Sequence, residues 1–142
     1  MTNEIMNVQN NDAMDIMAEA NAIRPYVSFT PETPEDKVKL YNAMNSPMYR
    51  LKSMINKPIK MVDAVLIPAQ TVNEETGEVQ NVIRSVIIDD QGNTYSASAT
   101  GVITSLRNLV NVFGSLHFDK PLTVIPKEVA VKRGNTLTLE IK

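Results

Sequence analysis

The sequence contains no cysteine and no tryptophan, and its one histidine is His117. Without cysteine, neither a disulfide nor a thiolate metal site can form. A single histidine leaves little material for a multi-histidine metal site or a histidine-containing catalytic triad. The chain also lacks a glycine-rich phosphate loop. We therefore predict a protein that is not an enzyme and that holds neither a cofactor nor a metal.

The chain has no apolar run of the length, about 18 residues or more, that would predict a transmembrane helix. Its first 20 residues are polar and acidic, whereas a secretory signal has a basic start and an apolar centre. These absences predict a cytoplasmic protein without a membrane partner. A length of 142 residues suits one domain with a substantial core.

Charge is distributed unevenly along the chain. Residues 1–36 hold one base and seven acids, and residues 37–142 hold 13 bases and nine acids, which gives net charges of −6 and +4. An acidic segment joined to a basic body is a cue for a protein that binds nucleic acid or associates with itself. The same pattern also fits a solvated tail beside an unremarkable domain.

The second half of the chain alternates strands and turns around one amphipathic helix. Strands are predicted at 59–72, 79–89, 94–99, 121–132 and 136–142, and the helix at 100–114, with Gly114 as its C-terminal cap. The order β-β-β-α-β-β, with the helix between the third and fourth strands, is that of the OB-fold. The predicted fold class is therefore mainly β (α+β), a five-stranded OB-fold barrel.

The first half of the chain is predicted to be an acidic N-terminal arm, residues 1–33, followed by leading helices of an OB-fold domain at 34–142. Within the arm, residues 12–23 suit a short helix, and the prolines of residues 24–34 predict an extended connector anchored by Tyr26 and Phe29. A helix capped by Thr33 and starting at Pro34 is expected to carry Val38 and Tyr41 on its apolar stripe, with Leu40 and Met44 as further candidates. Residues 46–56 show helical spacing again.

Residues 57–114, KPIKMVDAVLIPAQTVNEETGEVQNVIRSVIIDDQGNTYSASATGVITSLRNLVNVFG, resemble the small single-stranded-DNA-binding proteins of Gram-positive phages and conjugative plasmids. The similar features are the Lys-Pro entry into the first strand, the acidic EETGE hairpin, the DDQGNTY turn and the helix start GVITSL. The resemblance extends over roughly residues 47 to 142. It implies an OB-fold, no catalysis, and coating of single-stranded DNA during replication or conjugative transfer.

Single-stranded DNA is bound by basic grooves together with aromatic rings on which bases stack. Tyr95 is the best stacking candidate, because its small neighbours would leave the ring face open. The alternative is that Tyr95 packs over the edge of the core with its hydroxyl in solvent. Phe118 is a second aromatic candidate, whereas Phe113, Tyr41 and Tyr49 are expected to be packed. The predicted phosphate contacts are Lys57, Lys60, Arg84, Lys132 and Arg133. For each base taken alone, a solvated surface charge is the simpler interpretation.

Two questions stay open from the sequence. The near-neutral net charge and the seven aromatic residues favour an alternative function, an OB-fold protein–protein adaptor in a transfer or replication complex without nucleic-acid binding. The arm either links protomers into a homo-oligomer along DNA or is an acidic tail that shields the basic surface from wrong partners.

Overall fold

A computed structural model of the chain describes residues 25–132 and 134–142. The helix expected at 12–23, most of the acidic arm and Arg133 lie outside the described residues. Within the described residues the protein is mainly β, as predicted, with a curled, open sheet and two α-helices. This arrangement is compatible with an OB-like fold.

The elements follow the chain in an order close to the predicted one. The helices are α1 (Pro34–Asn45), a short 3₁₀-helix (Leu51–Met54) and α2 (Thr100–Phe113). The strands are β1 (Tyr26–Val27), β2 (Tyr49–Arg50), β3 (Ile59–Val72), β4 (Val79–Asp89), β5 (Thr94–Ala97), β6 (Leu122–Val131) and β7 (Gly134–Ile141).

The strands form one sheet of seven members rather than the five expected, in the order β2-β5-β4-β3-β6-β7, with β1 on β3. The two additional strands have two residues each. Strand β2 pairs in parallel with β5, which aligns Tyr49 with Tyr95 and Arg50 with Ser96. Two-residue strands show no periodicity, so their pattern in the sequence could not predict them.

Helix α1 begins where the sequence predicts. The backbone N–H of Asp36 donates to the Thr33 hydroxyl at 3.1 Å, and the Thr33 N–H donates back to the Asp36 carboxylate. This capping box satisfies two of the backbone donors that a helix start leaves free. The expected apolar stripe is wrong for Val38 and Tyr41, which are exposed. The further candidates Leu40 and Met44 do face the sheet, together with Ala43.

Helix α2 buries Val102, Ile103, Leu106, Leu109 and Val110, as its periodicity predicts. Its first turn lies so close to β7 that a Cβ on Gly101 would stand 2.2 Å from the carbonyl oxygen of Leu137. Only glycine fits this contact. Neither α1 nor α2, within the ranges described here, is long and apolar enough to cross a membrane.

The sheet is covered on both faces by separate apolar clusters. On one face, Ala64, Leu66 and Ile87 join the buried side of α2. On the opposite face, Val65 and Val86 pack under α1. Because neighbouring residues of a strand point to opposite faces, a continuously apolar strand such as the centre of β3 is typical of a sheet buried on both sides.

Buried Asp63 joins three parts of the chain to β3. Its carboxylate accepts a hydrogen bond from the Ser28 hydroxyl at 2.8 Å, lies 2.7 Å from Nδ1 of His117, and has the Lys39 ammonium at 3.8 Å. A buried carboxylate is stable only with such partners. Ser28 follows β1, so the connector after Pro25 packs on its own sheet in cis.

Candidate nucleic-acid interface

Residues 37–62 form a long stretch of chain without an acid. It contains six bases, Lys37, Lys39, Arg50, Lys52, Lys57 and Lys60. Its second half, residues 49–60, leads from edge strand β2 through the 3₁₀-helix into β3, and we call it the basic segment. Leu51 is completely buried and fixes this segment to the core. The four basic side chains of the segment are all exposed.

A cavity of about 320 Å³ opens beside the basic segment. Arg50 and Lys52 line it on one side, residues 96–99 after the centre of β5 line another, and Leu137 of β7 closes it. Two cationic residues and two serines therefore line a shared space. Such a lining can neutralise and hydrogen-bond an anionic group such as a phosphate.

Two tyrosines stack at the edge of the sheet. The ring centroids of Tyr49 and Tyr95 are 5.5 Å apart, and the ring planes are inclined by 26°. Tyr49 is 47% exposed, whereas Tyr95 is only 6% exposed. The pair therefore has a buried inner ring and an outer ring that solvent reaches.

The inner ring is anchored through its hydroxyl. The phenol of Tyr95 donates to Oδ2 of Asp89 at 2.9 Å, and Asp89 also accepts from Gln91 and Asn93 in the β4–β5 turn. Burial and the Asp89 carboxylate raise the pKa of Tyr95 to about 12. Burial alone would raise the pKa of Asp89, but the donors from Tyr95, Asn93 and Gln91 outweigh it and hold the pKa below its ordinary value.

The expectation of an open ring on Tyr95 is wrong. Tyr95 pairs with Ile87 across β4 and β5, and both side chains face the core under α2. The neighbours of Tyr95 on β5 are small, but Tyr49 on β2 stacks on the ring and covers it. Tyr49 was expected to be a packed helical residue, and instead it is a strand residue that solvent reaches.

The aromatic residues near the end of α2 also differ from expectation. Phe113 was expected in the core but is 50% exposed, whereas Leu116, just after the helix cap Gly114, is completely buried. Phe118 is half-buried, packs against the core, and meets the ring of Phe113 edge-on with centroids 5.5 Å apart. This burial restricts how much of Phe118 a base could reach.

The predicted phosphate contacts do not form one patch. Lys57 and Lys60 are exposed on the basic segment, and Lys132 is exposed in the turn between β6 and β7. Arg133 lies outside the described residues. Arg84 is half-buried and donates to the backbone carbonyl of Met44 in α1, so its charge faces the helix and not open solvent.

The prediction from sequence missed Tyr49, Arg50 and Lys52 as candidate binding residues. The charge count held a signal for two of them, since no acid lies between Asp36 and Asp63. The position of Tyr49 over Tyr95 could not be inferred, because it depends on the parallel pairing of a two-residue strand.

A fold with one curled sheet, an exposed basic segment and an adjacent aromatic pair is typical of a single-strand-binding module. Residues 18–142 match the family described as Phage Single-stranded DNA-binding protein, and the chain belongs to this family. Among curated proteins, the chain is similar to the Single-stranded DNA-binding protein of Bacillus phage GA-1. The two are 23% identical over 117 residues, which cover 78% of this chain and 66% of that relative. No solved structure matches the chain.

Proposed function

We propose that the protein binds single-stranded DNA with little sequence preference and coats it during phage replication in the host cytoplasm. The observation that carries this proposal is the basic segment, which presents four exposed bases and the exposed ring of Tyr49. Membership of a phage single-stranded DNA-binding family supports the same function and favours a phage setting over plasmid transfer. No step of catalysis is part of the proposal.

The expected lack of sequence preference follows from the kinds of contact that the surface can make. Lysine and arginine bind the phosphates that all sequences share, and every base has a face that can stack on an aromatic ring. We propose Arg50, Lys52, Lys57 and Lys60 as phosphate contacts. Lys132 and Arg133 are kept as proposed contacts at the β6–β7 hairpin. The burial of Tyr95, Phe118 and Arg84 favours supporting roles for these three.

The direct test is fluorescence anisotropy of a labelled oligo-dT titrated with the full chain at several salt concentrations. Duplex DNA and RNA of matched length serve as competitors. We expect binding that weakens steeply with salt, because bound cations release counterions from the phosphates, and weak competition by duplex. An absence of binding at low salt would contradict the proposal.

We further propose that the N-terminal arm, residues 1–33, links protomers on DNA. The −6 charge of residues 1–36 and the +4 charge of the remainder are complementary between neighbouring copies. Because β1 and Ser28 pack on their own sheet, the part available to reach a neighbour precedes Pro25. The alternative is an acidic tail that shields the basic segment.

Removing residues 1–24 leaves β1 intact and separates these two possibilities. If the arm links protomers, light scattering will show a lower mass for the truncated protein, and its DNA isotherm will lose steepness. If the arm is a shield, the mass will stay the same and the affinity at low salt will rise. A truncation of residues 1–33 would be a poorer test, because it also removes Tyr26 and Ser28 from the fold.

A protein–protein adaptor is the second candidate function. The observation in its favour is a set of large apolar side chains exposed near α1, with Val38 at 58%, Tyr41 at 66% and Met48 at 56%. A surface of this kind is typical of a protein-binding site. An absence of DNA binding in the anisotropy experiment would favour this function.

A further inference from the structure

The contacts within the fold do not explain why the outer face of the Tyr49 ring is aromatic and exposed. One side of the ring covers Tyr95, and 47% of the residue is open to solvent. Strand β2 is at the edge of the sheet, and in the described part of the chain no strand pairs with its other side. A large aromatic surface is therefore held at an open edge.

We infer that the outer face of the Tyr49 ring is the primary stacking site for a base of single-stranded DNA. This inference rests on the proposed function and adds the residue that contacts the base. It replaces Tyr95 as the direct contact and makes Tyr95 the support beneath the stacking ring. In this arrangement a bound base would become the third member of a stack that begins with Tyr95.

The support beneath Tyr49 is held in place by hydrogen bonds and strand pairing. Tyr95 is fixed by the 2.9 Å hydrogen bond to Asp89, and Asp89 is fixed by three donors from Gln91 and Asn93. The parallel pairing of β2 with β5 holds the Tyr49 backbone beside Tyr95. A ring that is ordered before binding loses little conformational entropy when a base stacks on it, which strengthens binding.

The neighbours of Tyr49 supply the charge that a nucleotide needs. Arg50 follows it directly, Lys52 is two residues further, and both line the same 320 Å³ cavity. A ring for the base and cations for the phosphate therefore occur within four consecutive residues. Base stacking on an aromatic ring and neutralisation of the backbone are the two components of single-strand binding.

Tyr41 is the other strongly exposed tyrosine and gives a matched control. It is 66% exposed on α1, more than Tyr49. In the described residues its ring stacks on no other ring, and its flanking residues Leu40 and Asn42 carry no charge. If exposure alone decided which tyrosine stacks on a base, Tyr41 would be the better candidate. Comparing the two residues therefore shows whether exposure or position in the fold decides.

The test measures the affinity of the full chain for two labelled probes of equal length. One probe is oligo-dT, and the other is an abasic deoxyribose-phosphate chain that has the same phosphates without bases. The variants are Tyr49→Ala, Tyr49→Leu, Tyr49→Phe and the control Tyr41→Ala. Tyr49→Leu keeps an apolar cover over Tyr95 without an aromatic face, so it remains informative if Tyr49→Ala unfolds. Circular dichroism establishes that each variant is folded.

We expect Tyr49→Ala and Tyr49→Leu to weaken binding of oligo-dT by about 5-fold to 150-fold, the range that base–aromatic stacking gives. Their affinity for the abasic chain and their salt dependence should stay as in the wild type. Tyr49→Phe and Tyr41→Ala should bind both probes normally. Arg50→Gln should show the opposite pattern, with weaker binding of both probes and a salt slope reduced by about 0.7.

The outcomes distinguish this inference from the function on which it rests. If folded Tyr49→Leu binds oligo-dT as the wild type does, the stacking site is wrong and the proposed function stands. Equal losses for both probes would also overturn the stacking site, because a merely structural role of Tyr49 predicts that result. If the wild type binds neither probe, the proposed function fails, and the stacking site fails with it.

Discussion

The guanidinium of Arg84 on β4 donates a hydrogen bond to the backbone carbonyl of Met44 in the last turn of α1. The last carbonyls of a helix have no partner within the helix, and its C-terminus favours a cation. Arg84 pairs with Ile67 across β3 and β4, on the face that α1 covers. A base that the sequence assigned to phosphate binding thus connects a helix to the sheet.

Replacing Arg84 is therefore expected to affect stability more than DNA binding. We expect Arg84→Ala to lower the free energy of unfolding by about 1–3 kcal/mol, the cost of a lost hydrogen bond to a charged group. Urea unfolding measures this change, and exposed Lys60→Ala serves as the control, with an expected effect within about 0.5 kcal/mol. If Arg84→Ala is as stable as the wild type but binds DNA more weakly, Arg84 contacts a phosphate after all, and this prediction is wrong.

The tight contact between α2 and β7 predicts that residue 101 tolerates no side chain. The Cβ of Gly101→Ala would stand 2.2 Å from the backbone oxygen of Leu137, and a backbone atom cannot move away at small cost. We expect a loss of about 1–3 kcal/mol in unfolding free energy, as for other overpacked sites. Thr104→Ala, an exposed change in the same helix, is the control. Equal stability of the two variants would show that β7 yields easily at this point.

The pair of His117 and Asp63 predicts a pH dependence of stability. The hydrogen bond and the charge of Asp63, with a contribution from Asp119, raise the pKa of His117 against the opposing effect of burial. A raised pKa in the folded state means that the charged pair stabilises fully below the unfolded-state value of about 6.5. This contribution is lost as pH rises through the folded-state pKa.

Melting temperatures of the wild type and His117→Gln, measured from acidic to alkaline pH, test this dependence. We expect the melting temperature of the wild type to exceed that of His117→Gln at low pH, and this difference to shrink as pH rises. The groups around His117 are Asp63 and Asp119, and Ser28 and Lys39 share Asp63 with it. Asp119→Asn is a control that removes only the exposed partner. A difference that does not vary with pH would contradict a charged His117.

Local signals in the sequence predicted the elements, and long-range packing decided the site. The Thr33 cap and Gly114 set the limits of α1 and α2 as predicted, because both act within one turn of helix. The surroundings of Arg84 depend on a partner 40 residues away in the sequence, and Tyr49 lies over a residue on a different strand. Neither contact produces a periodic pattern, so the sequence could not predict which side chains are covered.

The two groups of proposed phosphate contacts can be tested separately through the salt dependence of DNA binding. Each base that neutralises a phosphate of a single strand contributes about 0.7 to the slope of log affinity against log salt. We expect Lys57→Gln and Lys60→Gln each to lower the slope by this amount, since both are exposed on the basic segment. Lys132→Gln applies the same measurement to the β6–β7 hairpin. Lys37→Gln on α1 is the control and should leave the slope unchanged. If Lys132→Gln lowers the slope while Lys57→Gln and Lys60→Gln do not, the bound DNA lies along the β6–β7 hairpin. In that case the basic segment is only a solvated surface.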